Sequence, residues 1–136
     1  MLRVLELLSL CHTVQYDESS QSVEKYQAPS PDELCFIRFC VKLGIVFEGD
    51  YKDIRSGNKQ IRCVKYLKEK KKYEILDILE FDSTRKRMSI ILKELETNKI
   101  ILYCKGAESF VIQNCTQGDF EQCYSDINKF LSLIHI

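Results

Sequence analysis

Charge of one sign, long apolar runs, paired cysteines and histidines are what this sequence has least of. Twenty basic and twenty acidic residues cancel, so bulk charge offers nucleic acid no hold and none is expected as a partner. No apolar run reaches the ~18 residues that a membrane-crossing helix requires. Residues 1–11 are apolar, but Glu6 interrupts them, and they have no basic leader or small-residue cleavage site, so they do not read as a signal peptide. Seven cysteines is an odd number, and no two stand in C-x-x-C spacing. Reduced thiols are expected rather than a disulfide framework, with Cys11, Cys35, Cys40 and Cys104 acting as small hydrophobes in apolar runs. His12 alone makes no metal site, and none is assigned. Gly44 and Gly49 have the spacing of a phosphate-binding loop, but Asp50 stands where its lysine belongs.

What is present is one domain's worth of chain, 136 residues with 45% apolar content, enough for a single core. Two apolar runs, 88–92 and 100–104, flank a polar turn at 94–99, the pattern of a β-hairpin. In an antiparallel pair the start of the first strand lies beside the end of the second. Phe81, Ser83, Lys86 and Lys105 are therefore expected to converge at one end of a sheet. An aromatic face with two ammonium groups suits a purine carrying phosphates. Alternation in an extended segment turns Arg85 and Arg87 away from Lys86.

Upstream, residues 2–12 read as a helix, and 13–16 and 23–27 as short strands around an exposed loop at 17–21. Ser30-Pro31-Asp32-Glu33 is a helix start, with Ser30 as N-cap, Pro31 at N1, Asp32 toward the positive helix end and Glu33 closing a capping box. That helix is expected to run to about Leu43, to stop at Gly44 and to be well buried. Strands are expected at 45–48 and 60–66, with a solvated charged turn at 68–72. Residues 73–81 are apolar on both faces, which suggests a central strand covered on both sides. A short helix follows Ala107, and a last one runs from about Gly118 through Phe130. Together these elements give an α+β fold: a twisted, mainly antiparallel sheet flanked by helices.

The sequence EFDSTRKRMS at 80–89, followed by KGAES at 105–109, resembles the nucleotide-binding domain of P-type ATPases. Its FDS and RKRMS forms are similar to the phospholipid-flipping branch rather than the cation pumps. Tyr26 to Glu33 (YQAPSPDE) resembles that branch's Y-x-A-S-S-P-D-E segment, with Pro29 replacing a serine, and Leu10-Cys11-His12-Thr13-Val14 resembles its L-C-H-T-V opening. The resemblance implies an ATP site in which Phe81 stacks on the purine and Glu33 accepts from its exocyclic amine. Ser83 hydrogen-bonds nearby, and Lys86 and Lys105 supply positive charge. It also implies a cytosolic-facing domain of an integral membrane protein, whose phosphorylation and actuator domains are partners, with an accessory subunit possible through the membrane region. Magnesium accompanies ATP, held mainly by the phosphorylation domain.

No Asp here is followed by Lys, so the family's D-K-T-G-T nucleophile is not in this sequence, nor is its G-L-R-T-L segment. No residue here is assigned a catalytic role, and the chain alone is expected to hydrolyse nothing. Residues 1–130 read as a nucleotide-binding domain incomplete at its C-terminal end. Residues 131–136, which resemble a translated sequencing adapter, read as a non-native tail. The alternatives are the equivalent domain of a cation-transporting P-type ATPase and a non-enzymatic α+β interaction module.

Overall fold

Alternating strands joined by tight turns build an antiparallel meander. A computed structural model describes residues 2–19 and 25–134. In chain order it contains α1 (Leu2–Leu10), β1 (Gln15–Tyr16), β2 (Tyr26–Gln27), α2 (Pro31–Lys42), β3 (Ile45–Asp53), a 3-10 turn (Ile54–Ser56), β4 (Lys59–Tyr66), β5 (Glu69–Leu79), β6 (Arg87–Glu94), β7 (Ile100–Gly106), α3 (Glu108–Ile112) and α4 (Phe120–Ile134). β3 to β7 pair in sequence order, every pair antiparallel, and β1 with β2 forms a separate small ribbon. This is the α+β architecture expected. The strand anticipated at 23–27 is seen only at Tyr26–Gln27, because residues 20–24 lie outside the described residues, as does His135.

The core lies between one sheet face and the first two helices. Leu5, Leu10 and Val14 meet Ile37 and Cys40 of α2 and the inward residues Phe47, Val64, Tyr73, Ile90 and Leu92 of the sheet. Three sequence expectations need correction. The α2 helix is not well buried: Ile37 and Cys40 face inward with Glu33, while Phe39 and Leu43 are 50% and 45% exposed. One helix packed on one layer buries a single stripe, however apolar its other faces are. Second, β5 is central, but it is not covered on both sides, since Leu76 and Leu79 are exposed. Its doubled apolar pattern comes from a β-bulge. Ile75 pairs with Leu92 and Asp77 with Ile91, so Leu76 is an extra residue that shifts the alternation. Third, the charged tip is shorter than expected. The turn is Leu67 and Lys68, and Lys70 and Lys71 lie within β5, where they pair with Glu48 and Glu94. Among the cysteines, Cys35 is exposed rather than packed, and all seven are free thiols.

A second bulge brings a carboxylate to a buried arginine. Phe47 pairs with Val64 and Asp50 with Arg62, so Glu48 and Gly49 together face a single residue of β4. Without that insertion Phe47 and Asp50 would point to opposite sides. With it, Asp50, on the edge strand, shares the face of Arg62 and receives two hydrogen bonds from it, at 2.8 and 2.7 Å. Gly49 suits the bulge, having φ of 97°, and a Cβ there would stand 3.2 Å from the Tyr16 ring. Arg62, 1% exposed, also donates to the carbonyls of Leu10 and His12, closing the C-terminal end of α1.

His12 completes this corner. Its Nε2–H donates to the Ser9 carbonyl (2.9 Å), and its Nδ1 accepts from the Val14 amide (3.1 Å). That arrangement requires the neutral ring. Burial and the nearby Arg62 guanidinium hold the His12 pKa well below its ordinary value of 6.5. The unfolded chain therefore takes up a proton near pH 6.5 that the folded chain refuses. Stability is full above that pH and declines as pH falls through it, by at most about 1.4 kcal/mol per unit. Urea midpoints measured from pH 7.5 down to 5 should show this decline, and His12→Gln should flatten it.

Candidate functional site

The hairpin places its two ends as alternation demands: Arg87 pairs with Gly106 and Met88 with Lys105. Gly106 permits the closeness, because a Cβ there would meet Arg87 Cβ and the Lys86 carbonyl at 2.5 Å. Beside this end opens a cavity of about 730 Å³, bounded by α1, the start of α2, the segment after β5 and the end of β7. Leu8, Pro29, Phe36, Phe81 and Met88 supply its apolar walls. Phe81 is 62% exposed, its ring available to stack on an incoming flat group. Its polar groups come from Thr13, Ser30, Asp32, Glu33, Glu80 and Lys105.

Three of the five residues singled out from sequence, Glu33, Phe81 and Lys105, line this one cavity. Ser83 and Lys86 do not line it. They belong to the exposed turn after Phe81, where Asp82 accepts from the amides of Thr84 and Arg85. Lys86 holds a left-handed backbone (φ 50°), and its ammonium lies 5.4 Å from the centre of the Phe110 ring. That turn abuts the cavity rim, since Ala107, next to Gly106, donates its amide to the Lys86 carbonyl. Arg85 reaches back to the Ser89 hydroxyl, 3.2 Å away.

Glu33 does not close a capping box. Ser30 has the extended backbone of an N-cap but makes no side-chain cap hydrogen bond. The Glu33 carboxylate, 7% exposed, turns the other way. Its Oε2 accepts from the Thr13 amide (3.0 Å) and hydroxyl (2.9 Å), and its Oε1 from the Lys105 ammonium (2.9 Å). These stronger, charge-assisted bonds outcompete a local cap. Burial alone would raise the Glu33 pKa, but the Lys105 ammonium and the two Thr13 donors outweigh it and hold the group below its ordinary value. Lys105 also sits 5.7 Å from the centre of the Phe36 ring.

Sequence reasoning did not assign Thr13, Asp32 or Glu80 to the site. Thr13 lies within the L-C-H-T-V segment, the one signal that could have found it, and Asp32 was read only against the helix dipole. Asp32 stands within the YQAPSPDE segment and Glu80 opens EFDSTRKRMS, so each had a signal of the same kind. Among the described residues no helix is long and apolar enough to cross a membrane.

Comparison with known proteins places the chain in a family. The chain is 40% identical over 111 residues to Phospholipid-transporting ATPase C887.12 of Schizosaccharomyces pombe, which covers 80% of this chain and 8% of that protein. Phospholipid-transporting ATPase IC of Xenopus tropicalis is 35% identical over 144 residues, covering 91% of this chain and 11% of the relative. Phospholipid-transporting ATPase IG of Homo sapiens is 36% identical over 124 residues, 86% of this chain and 10% of the relative. The chain thus spans only about a tenth of the length of these proteins. The sequence model of the P-type ATPase cytoplasmic domain N matches residues 1–121, and the chain belongs to that family.

Proposed function

We propose that the cavity binds the base of ATP and that the chain serves as the nucleotide-binding domain of a P-type ATPase that moves phospholipid across a membrane. The observation carrying this reading is the meeting of Glu33, Phe81 and Lys105 at one cavity, though they are separated by up to 72 residues. Electrostatics support the orientation. Asp32, Glu33 and Glu80 oppose a single ammonium, Lys105, among the lining residues, a poor seat for a triphosphate and a good one for a neutral, amine-bearing base. The purine then lies against Phe81, and the phosphates leave past the rim, where Ser83 and Lys86 are within their reach.

Catalysis in such an arrangement is mostly positioning. This chain grips the base and presents the γ-phosphate to an aspartate on a separate phosphorylation domain, which also supplies most of the ligands of the accompanying magnesium ion. The actuator domain, and any accessory subunit, would act through the remainder of the parent protein. Phospholipid as cargo is supported by the names of the relatives and by the FDS and RKRMS forms. A lipid-transport assay on the parent protein, with ion-stimulated ATPase activity as the control, separates it from a cation pump.

Titration of the chain with ATP, followed by amide resonances, tests the site directly. Shifts centred on Glu33, Phe81 and Lys105 are expected, and none at millimolar ATP would leave an interaction module without nucleotide. Phe81→Ala removes a stacking surface worth about 1–3 kcal/mol per base, so ATP affinity should fall about tenfold. Because Phe81 is 62% exposed, the melting temperature should stay within a degree or two of wild type, as for surface substitutions generally.

A further inference from the structure

Resting on that nucleotide reading, a further role falls to a residue outside the assigned set, beside Lys105, the one ammonium among the described lining residues. A glutamate cannot fix its own carboxylate plane, because its terminal torsion is broad and nearly two-fold. A lysine cannot fix its own ammonium, which rides on a flexible four-carbon stem. Something outside the pair must therefore aim both groups. Thr13 is the only residue besides Lys105 that hydrogen-bonds the Glu33 carboxylate among the described residues, and it does so with amide and hydroxyl on one oxygen. Thr13 is itself held by the buried corner, where Arg62 binds the carbonyl of the preceding His12 (3.0 Å) and the His12 ring binds the following Val14 amide (3.1 Å). Two further carboxylates, Asp32 and Glu80, share the cavity wall and would compete for a released ammonium.

We infer that Thr13 is a positioning residue for Lys105: by clasping one oxygen of Glu33 it aims the other at the ammonium, and so sets how tightly the cavity takes a nucleotide base. The hydroxyl is the replaceable half of the clasp, since the amide remains in any variant. Nucleotide affinity should then depend on Thr13 only while Glu33 is a carboxylate. The Lys105 amine should also be less reactive while it is paired.

The test uses the whole 136-residue chain and five forms: wild type, Thr13→Val, Thr13→Ser, Glu33→Gln and the Thr13→Val/Glu33→Gln pair. ATP affinity is measured by calorimetry, and acylation of Lys105 by a limiting N-hydroxysuccinimide ester is followed by peptide mass spectrometry. Thr13→Val is expected to weaken ATP about fivefold, the scale of one hydrogen bond to a charged group, and to speed Lys105 labelling severalfold. Thr13→Ser should behave as wild type, and in the Glu33→Gln background the Val change should add nothing. Equal weakening in both backgrounds, or unchanged labelling in Thr13→Val, overturns the inference. If the Val variant does not fold, Thr13→Ala takes its place in the same cycle. A wild-type chain that binds no ATP defeats the nucleotide reading alone, and the labelling rates then judge Thr13 by themselves.

Discussion

Arg62→Met should lower the unfolding free energy by about 3 kcal/mol, the lower end of the cost of breaking a buried ion pair, because Arg62 is buried while the Asp50 side chain stays 22% exposed. Domains of this kind hold about 5–15 kcal/mol in all, so a large part of the fold's margin would go. The side chain is 1% exposed, and its loss leaves three things unanswered: the Asp50 carboxylate that it clasps through two nitrogens, and the carbonyls of Leu10 and His12. Methionine fills much of the volume but answers none of these groups. With a slope of about 1–3 kcal/mol per molar in urea, the midpoint should drop by one molar or more. Arg55→Ala, an exposed change of the same charge, should move stability by no more than about 0.5 kcal/mol. Removing Asp50 as well should recover part of the loss, because the carboxylate is then no longer stranded. If Arg62→Met unfolds at the wild-type midpoint, the corner that carries Thr13 is not held by this guanidinium.

That corner is also where sequence reading reached its limit. Arg62 stands in a strand whose neighbours alternate, and nothing local distinguishes an inward arginine from a solvated one. Its partner, Asp50, shares its face only because Glu48 and Gly49 crowd opposite one residue of β4, and a bulge shifts alternation without announcing itself. The same effect misread β5, where Leu76 looked like evidence for a second covered face. By contrast, the hairpin of β6 and β7 was legible, because two apolar runs around a polar turn mark an antiparallel pair on their own. Glu33 was half legible. Its place at a helix start follows from Pro31 and the acidic first turn, but its partners lie 20 and 72 residues away. Local rules suggested a capping box, and the tertiary ion pair won.

Lys105→Ala should weaken ATP binding by roughly ten- to a hundredfold, the scale of charge-assisted hydrogen bonds removed together from a shielded site. It deletes the only ammonium lining the cavity among the described residues and leaves Asp32, Glu33 and Glu80 facing the ligand. Unlike the exposed Phe81, Lys105 also has a structural duty, because its ammonium stands 2.9 Å from the Glu33 carboxylate, whose side chain is only 9% exposed. The variant should therefore melt below wild type at neutral pH, and the pH dependence of that gap identifies the pair. In the wild type Glu33 has a lowered pKa, held down against burial by Lys105 and Thr13, so its stabilising effect is complete above its ordinary value of 4.5 and fades as pH falls through the folded value. Without Lys105 that benefit shrinks at every pH where Glu33 is charged. Melting curves of the two proteins should consequently be well separated at pH 7 and draw together in acid, as pH falls below 4.5 and through the lowered value of folded Glu33. Lys105→Arg keeps the charge and should retain most of the stability, while losing part of the nucleotide affinity to the different shape of its head group. A gap that stays constant from pH 7 into acid would mean that Lys105 stabilises the fold through packing on Phe36 rather than through Glu33.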